Sequence, residues 1–179
     1  MKKEVNIWDY AGLIMKQIDK GILLTTAAEG KTNTMIIGWG HIGVLWGKPT
    51  FCTYVRESRY TKELLDKNGE FTVNIPLGAV DKDIVAVCGT KSGRDMDKFR
   101  QLGLETEPGM TVSVPGIRQL PLTLECKVLY QQDQDPTAID QGSLDRYYAK
   151  GTHNDGDYHT AYIGQITAAY IIEIGRAHV

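Results

Sequence analysis

Residues 33–76 read NTMIIGWGHIGVLWGKPTFCTYVRESRYTKELLDKNGEFTVNIP, and the punctuation of this stretch decides the fold. Thr34 to Trp39 (TMIIGW) is apolar. It follows a polar, glycine-containing turn, Glu29 to Asn33, which in turn follows the apolar, threonine-rich Gly21 to Ala28, so the three pieces make a β-hairpin. Ile42 to Trp46 and Thr50 to Arg56 read as a second strand pair, broken at Gly47, Lys48 and Pro49. Ser58 is placed to cap a helix from Arg59 to about Lys67. Tyr60, Leu64 and Leu65 lie on its buried side, Glu63 and Lys67 pair at i,i+4, and Asn68-Gly69 is the stop. Glu70 to Ile75 then alternates Phe71, Val73 and Ile75 as a half-buried strand ended by Pro76.

Working outward, the apolar positions between Asp9 and Lys20 recur near helical spacing, with Gly21 as terminator. Two short helices are expected at Val80 to Val87 and at Met96 to Leu102, the second capped by Asp95. Leu122 to Tyr130 alternates most clearly, with Thr123, Glu125 and Lys127 on the wet face and a less regular Leu129. Asp133 to Asp157 is a polar surface excursion with one helical turn around Leu144 to Tyr148, and Tyr158 to Ile172 is a final strand. Strands at both ends with short helices between them favour a mainly β fold, an antiparallel barrel with peripheral helices, over a parallel sheet.

At 179 residues and 42% hydrophobic, the chain is expected to form one domain over residues 1–172. The last seven residues, Glu173 to Val179 (EIGRAHV), look like an in-frame adapter translation and are read as a non-native read-through tail. A net charge of -2 without any run of like charge argues against a nucleic-acid or anionic-membrane partner. No apolar run approaches the roughly 20 residues of a membrane span, and MKKEVNIWDY is no signal peptide, so a soluble, cytoplasmic protein is expected. Cys52, Cys88 and Cys126 are odd in number and widely spaced, which fits buried thiols in a reducing compartment.

Gly38, Gly40 and Gly43 in GWGHIG match a dinucleotide fingerprint literally. They run into another strand where that fingerprint requires a helix, which excludes it. Ser58, Arg59 and Thr61 at a helix start suit an anion, through backbone N–H groups, two hydroxyls and a guanidinium, although spacing alone favours an ordinary cap, since every helix has such an end. Lys91, Ser92, Gly93, Arg94 and Asp95 form a basic loop. His41, His153 and His159 lack metal-ligand spacing and read as surface or loop histidines, and Asp133, Asp135, Asp155 and Asp157 read as solvated. No nucleophile elbow is present, so no catalytic side chain is assigned.

Taken together, Asn33-x-Met35, Gly38-Trp39, Pro49, Arg56-x-Ser58-Arg59-Tyr60-Thr61, Glu70-Phe71-x-Val73-Asn74, and the later CGTKSGRDMDKFRQLGL block (Cys88 to Leu104) resemble the flavin reductase-like family of FMN-binding split barrels, especially its flavoredoxin-type members. Leu122-x-Leu124-Glu125-Cys126 and Tyr162-Ile163-Gly164-Gln165-Ile166 suit its later strands. The resemblance implies a six-stranded antiparallel Greek-key split barrel, a homodimer, and noncovalent FMN. It implies that Asn33, Thr34, Met35, Ile36, Gly38 and Trp39 line the isoalloxazine and that Tyr54 and Arg56 flank it. Ser58, Arg59 and Thr61 would hold the phosphate, and Lys91 and Ser92 would approach from the basic loop. Ile36 and Gly38 stand where many members carry hydroxyl residues. The activity implied is NAD(P)H-linked reduction of flavin or another small acceptor, with NADH or NADPH as donor. The alternatives are a flavoredoxin-type electron carrier fed by a redox protein, and a barrel that binds another flat ligand without redox activity.

Overall fold

The computed structural model describes residues 1–173. In chain order the elements are β1 (Lys2–Glu4), α1 (Ile7–Ile18), β2 (Ile22–Ala28), β3 (Lys31–Ile37), β4 (Gly40–Leu45), β5 (Lys48–Arg56), α2 (Tyr60–Asn68), β6 (Glu70–Ile75), α3 (Lys82–Thr90), α4 (Lys98–Leu102), β7 (Thr106–Glu107), β8 (Gly116–Ile117), β9 (Leu122–Asp133), α5 (Gln141–Tyr147) and β10 (His159–Ile172). Of the suspected read-through tail, only Glu173 falls among them; residues 174–179 lie outside the described residues.

The fold is mainly β, as the sequence indicates. One antiparallel sheet runs β3-β2-β6-β9-β10-β5-β4, with β1 added beside β10. β2, β3, β4, β5, β6, β9 and β10 fall on the seven strands read from the sequence, and β1, which the sequence reading did not give, joins the same sheet. β3 and β4 stand at opposite ends of this order, yet only Gly38 and Trp39 separate them in sequence. Ile37 and Gly40 are three Cα steps apart, hence no more than about 11 Å. The sheet must therefore roll round until its two ends meet, and the barrel is closed there by the chain itself.

Inside lie Ile22, Leu24, Phe51, Phe71, Val73, Leu124, Cys126 and Tyr162, and α1 buries Ile7, Ile14 and Ile18 against them. Because strand side chains alternate, Leu23 points the other way, into a second cluster with Ile84, Cys88, Leu104, Ile117 and Leu120. β2 is thus buried on both faces, which its continuous apolar run reflects. Among the described residues, no helix is long and apolar enough to cross a membrane.

Several local readings need correction. The β4–β5 turn is Trp46-Gly47, both with positive φ (51° and 71°), the mirror-image turn that matches strand twist, so Lys48 and Pro49 already belong to β5. α3 starts later than expected, capped by Asp81, and buries Ile84 and Cys88. Asp97, not Asp95, caps α4. Arg59, not Ser58, occupies the cap position of α2, without a side-chain cap bond. Lys67 pairs with Glu29 and Glu63 with Arg94, while the i,i+4 pair on this helix is Lys62–Asp66.

Thr123 and Glu125 are not wet: the chain around residues 108–115 covers that face of β9. Glu125 accepts the Met110 and Thr111 N–H groups at 2.7 and 2.6 Å. Burial opposes its charge, but these donors prevail and hold its carboxyl below the usual carboxylate range. Leu129, the irregular position, falls at a register shift between β9 and β10.

Candidate functional site

Two adjoining clefts follow the β3 edge of the sheet, each of about 140 Å³. The first lies between β3, the start of α2, the basic loop and the first residue of α4; the second lies between the end of β3, the Gly38-Trp39 link, β5 and the start of β10. Met35, Ile36 and Arg59 line both, so one groove passes from one to the other.

The first cleft is polar and cationic. Asn33, Ser58, Arg59, Thr61, Lys91 and Ser92, all singled out from sequence, line it, and no acidic side chain does so among the described residues. Its floor is a buried pair in which Asn33 Nδ2 donates to Thr61 Oγ1 at 2.8 Å. That leaves the Thr61 hydroxyl proton to be given elsewhere. The uncapped start of α2 adds N–H groups that no side chain claims. Lys98 closes the deep end: it is 3% exposed and donates to the Thr34 carbonyl at 2.8 Å. Burial, with the Arg59 guanidinium nearby, lowers its pKa, while burial raises that of the neighbouring Cys88 thiol. Gly93 is indispensable to this shape, since a Cβ there would lie 2.1 Å from Asn33 Oδ1 and 2.9 Å from the Tyr60 ring.

The second cleft is lined by Gly38, Trp39, Tyr54, Arg56 and His159. Trp39 rests on His159, ring centroids 4.7 Å apart, and meets the edge of Tyr147 at 4.9 Å. His159 is buried, not a surface histidine, and its Nδ1 shares a 2.7 Å hydrogen bond with the Tyr148 hydroxyl. Burial, then the positive Arg56 alongside, pushes its pKa down to about 4, so the ring is neutral at pH 7.

Some sequence-picked residues do other work. Thr34 turns its hydroxyl away, onto the Leu24 carbonyl and Thr25, and meets the site only through its own carbonyl. Arg56 donates to the carbonyls of Asp157 (2.7 Å) and Tyr147 (3.3 Å). Ser58 donates its N–H (2.9 Å) and its hydroxyl (2.7 Å) to the Asp157 carboxylate. Asp157 is therefore no solvated acid: it straps the 134–158 excursion down beside the groove.

The sequence reading missed Tyr60, Cys88, Gly89 and Lys98 as wall residues of the first cleft, and His159 of the second, whereas Gly93 and Arg94 belong to the basic loop it singled out. Lys98 was hidden because Phe99 beside it packs into the second cluster, and a five-residue helix shows no periodicity from which a second covered face could be read.

Fold and site together define an antiparallel barrel whose groove suits a ligand with an anionic end and a flat end. The chain belongs to the flavin reductase like domain family, whose model matches residues 15–177. An uncharacterized protein of Archaeoglobus fulgidus is 31% identical over 122 residues, 68% of this chain and 67% of that protein. The uncharacterized protein YddH of Escherichia coli K12 is 32% identical over 111 residues, 60% of this chain and 58% of its own length. Flavoredoxin from Methanosarcina acetivorans superposes with a TM-score of 0.65 at 29% identity, covering 86% of this chain and 68% of that one. Flavoredoxin of Desulfovibrio vulgaris (Miyazaki F) shares the fold, with a TM-score of 0.63 at 24% identity over 86% of this chain and 69% of its own.

Proposed function

We propose that the chain binds FMN noncovalently and acts as an oxidoreductase, with NADH or NADPH as donor and flavin or another small molecule as acceptor. One observation carries this reading: a pocket lined by Arg59, Lys91 and Lys98, free of acidic side chains among the described residues, opens past Met35 and Ile36 into an aromatic cleft. A buried ammonium without a carboxylate partner fits a bound phosphate. The names of the structural relatives support the flavin; a protein-fed electron carrier is the second reading, favoured by the two flavoredoxin likenesses.

Bound FMN would supply the electron chemistry. The chain holds and shields it. The Arg59 guanidinium and Thr61 hydroxyl would hold the phosphate. Met35 and Ile36 give an apolar floor that excludes water, and Trp39 and Tyr54 wall the flat end. The neutral His159 keeps its proton in the hydrogen bond with Tyr148 and serves as packing, not as an acid at pH 7.

The test is a titration of cofactor-free protein with FMN and with riboflavin, which lacks the phosphate. Wild type should prefer FMN. A guanidinium contact to phosphate is worth about 1.5–3 kcal/mol, so Arg59→Ala should weaken FMN roughly tenfold or more and leave riboflavin nearly unchanged. Equal losses for both ligands would sink the assignment. Steady-state oxidation of NADH or NADPH by the holoprotein separates the enzyme from the carrier.

We also propose a homodimer. Val44 on the edge strand β4, Trp46 in the turn that follows it, and Trp8 on α1 are 65%, 68% and 50% exposed, apolar side chains that invite a second copy. Light scattering at micromolar concentration should give twice the chain's mass; a monomer that still retains FMN would refute it.

A further inference from the structure

We propose that Gln134, acting through Tyr148, is a positioning residue: it fixes the His159 proton on Nδ1 and so leaves Nε2 a bare hydrogen-bond acceptor on the aromatic cleft. This holds whatever the groove binds, because the proton order follows from the chain's own donors and acceptors. The order starts at a group that cannot be reversed. The His159 backbone N–H can only donate, and its 3.0 Å contact with the Gln134 side-chain amide requires the oxygen of that amide, not the nitrogen, on its side. The same Oε1 lies 2.8 Å from the Tyr148 hydroxyl. An amide oxygen has no proton to give, so the hydroxyl's single proton goes to it. The Tyr148 oxygen is then left as an acceptor, and its 2.7 Å contact with His159 Nδ1 is closed only by a proton on that nitrogen. A neutral imidazole carries one N–H, so Nε2 keeps its lone pair.

Each part of this relay is held in place. The Gln134 N–H donates to the His159 carbonyl at 2.9 Å, which locks the two residues side by side where β9 ends and β10 begins. Tyr148 is buried, which raises its hydroxyl above the ordinary range, so it keeps its proton at pH 7. Nε2 has no partner among the described residues and is not one of the polar atoms sealed from the surface. The second cleft is lined by His159 but not by Gln134 or Tyr148, so the relay lies behind the wall and only the imidazole shows. Arg56 and Arg59 line the same cleft, and their charge opposes a second proton on the ring. A cleft supplied with guanidinium donors thereby gains an acceptor that only a ligand N–H or O–H can fill.

Long-range proton–nitrogen NMR of the full-length, 15N-labelled chain at pH 7 reads the tautomer, with His159 assigned by its loss in His159→Gln. In wild type Nδ1 should give the protonated, pyrrole-type signal and Nε2 the pyridine-type signal. The reverse assignment, or an imidazolium pattern, overturns the proposal. Gln134→Leu removes the amide oxygen, frees the Tyr148 proton to turn to Nδ1, and should move the pyridine-type signal from Nε2 toward Nδ1. Gln134→Met, closer in length, serves if the leucine variant fails to fold by circular dichroism. A folded variant that keeps the wild-type pattern would mean that Gln134 only braces the strand ends, and overturns its positioning role.

Discussion

Gly164→Ala should lower the melting temperature by roughly 6–12 °C, taking about 3 kcal/mol of overpacking and 2–4 °C per kcal/mol for a domain of this size. A Cβ at this position would lie 2.7 Å from two atoms of the Phe71 ring and 2.9 Å from the Cys126 Cβ. Both neighbours are fully buried inside the barrel, so neither can swing out to make room. Gly164 also sits where β10 shifts register against β9, which draws the backbone in toward Phe71. In a roomy strand the same change would be mildly stabilising, because alanine is less floppy than glycine when unfolded. A melt followed by circular dichroism decides: an unchanged midpoint would mean that the barrel has slack here. Adding Phe71→Leu should recover part of the loss if the clash with the ring is its cause.

The second large effect is acid sensitivity carried by His159. Its pKa is about 4 in the folded chain, against an ordinary 6.5. The unfolded chain therefore takes up the proton first as pH falls. The stabilisation is fully present above pH 6.5 and is lost progressively down to about pH 4. By linkage, this group alone removes roughly 2 kcal/mol between pH 7 and pH 5, and about 3 by pH 4. His159→Gln, which keeps a donor for the Tyr148 hydroxyl oxygen, should flatten the urea-midpoint profile across that interval. Parallel profiles for the two proteins would show that His159 is not buried as a neutral ring.

Most of the barrel was legible because its signals are local. The polar turn at Glu29 to Asn33, the Asn68-Gly69 stop and the alternation of Leu122, Leu124 and Cys126 each act within a few residues, and each falls where the strands and α2 require. Glu125 misled because the segment that covers it approaches from elsewhere in the fold, and alternation cannot distinguish a wet carboxylate from a buried one held by backbone N–H groups. The site divides in the same way. Asn33, Arg59 and Thr61 were found because a family-like motif surrounds them, and they do converge on one cleft. The roles of Ser58 and Arg56 depend on Asp157, a hundred residues later, and no spacing rule connects them. His159 opens a strand rich in alternating residues, but its burial comes from Trp39 and Tyr148, which reach it from separate segments.

The strapped excursion has a consequence for descent. β9 and β10 pair as far as Asp133 and Thr160, so the segment between them departs and returns across a single rung of the ladder. Closing such a loop costs only about 0.6 kcal/mol more for each doubling of its length. The segment supplies Tyr147, which bears on Trp39, while the barrel's own register is set by other strands. Insertions, deletions or grafts between residues 134 and 156 can therefore re-sculpt the flank of the aromatic cleft without renegotiating the barrel, provided Gln134 and Tyr148 stay to hold His159 and an acid is kept where Ser58 can grip it. The flank of that cleft can thus vary as one exchangeable cassette while the first cleft, built from other segments, is kept unchanged.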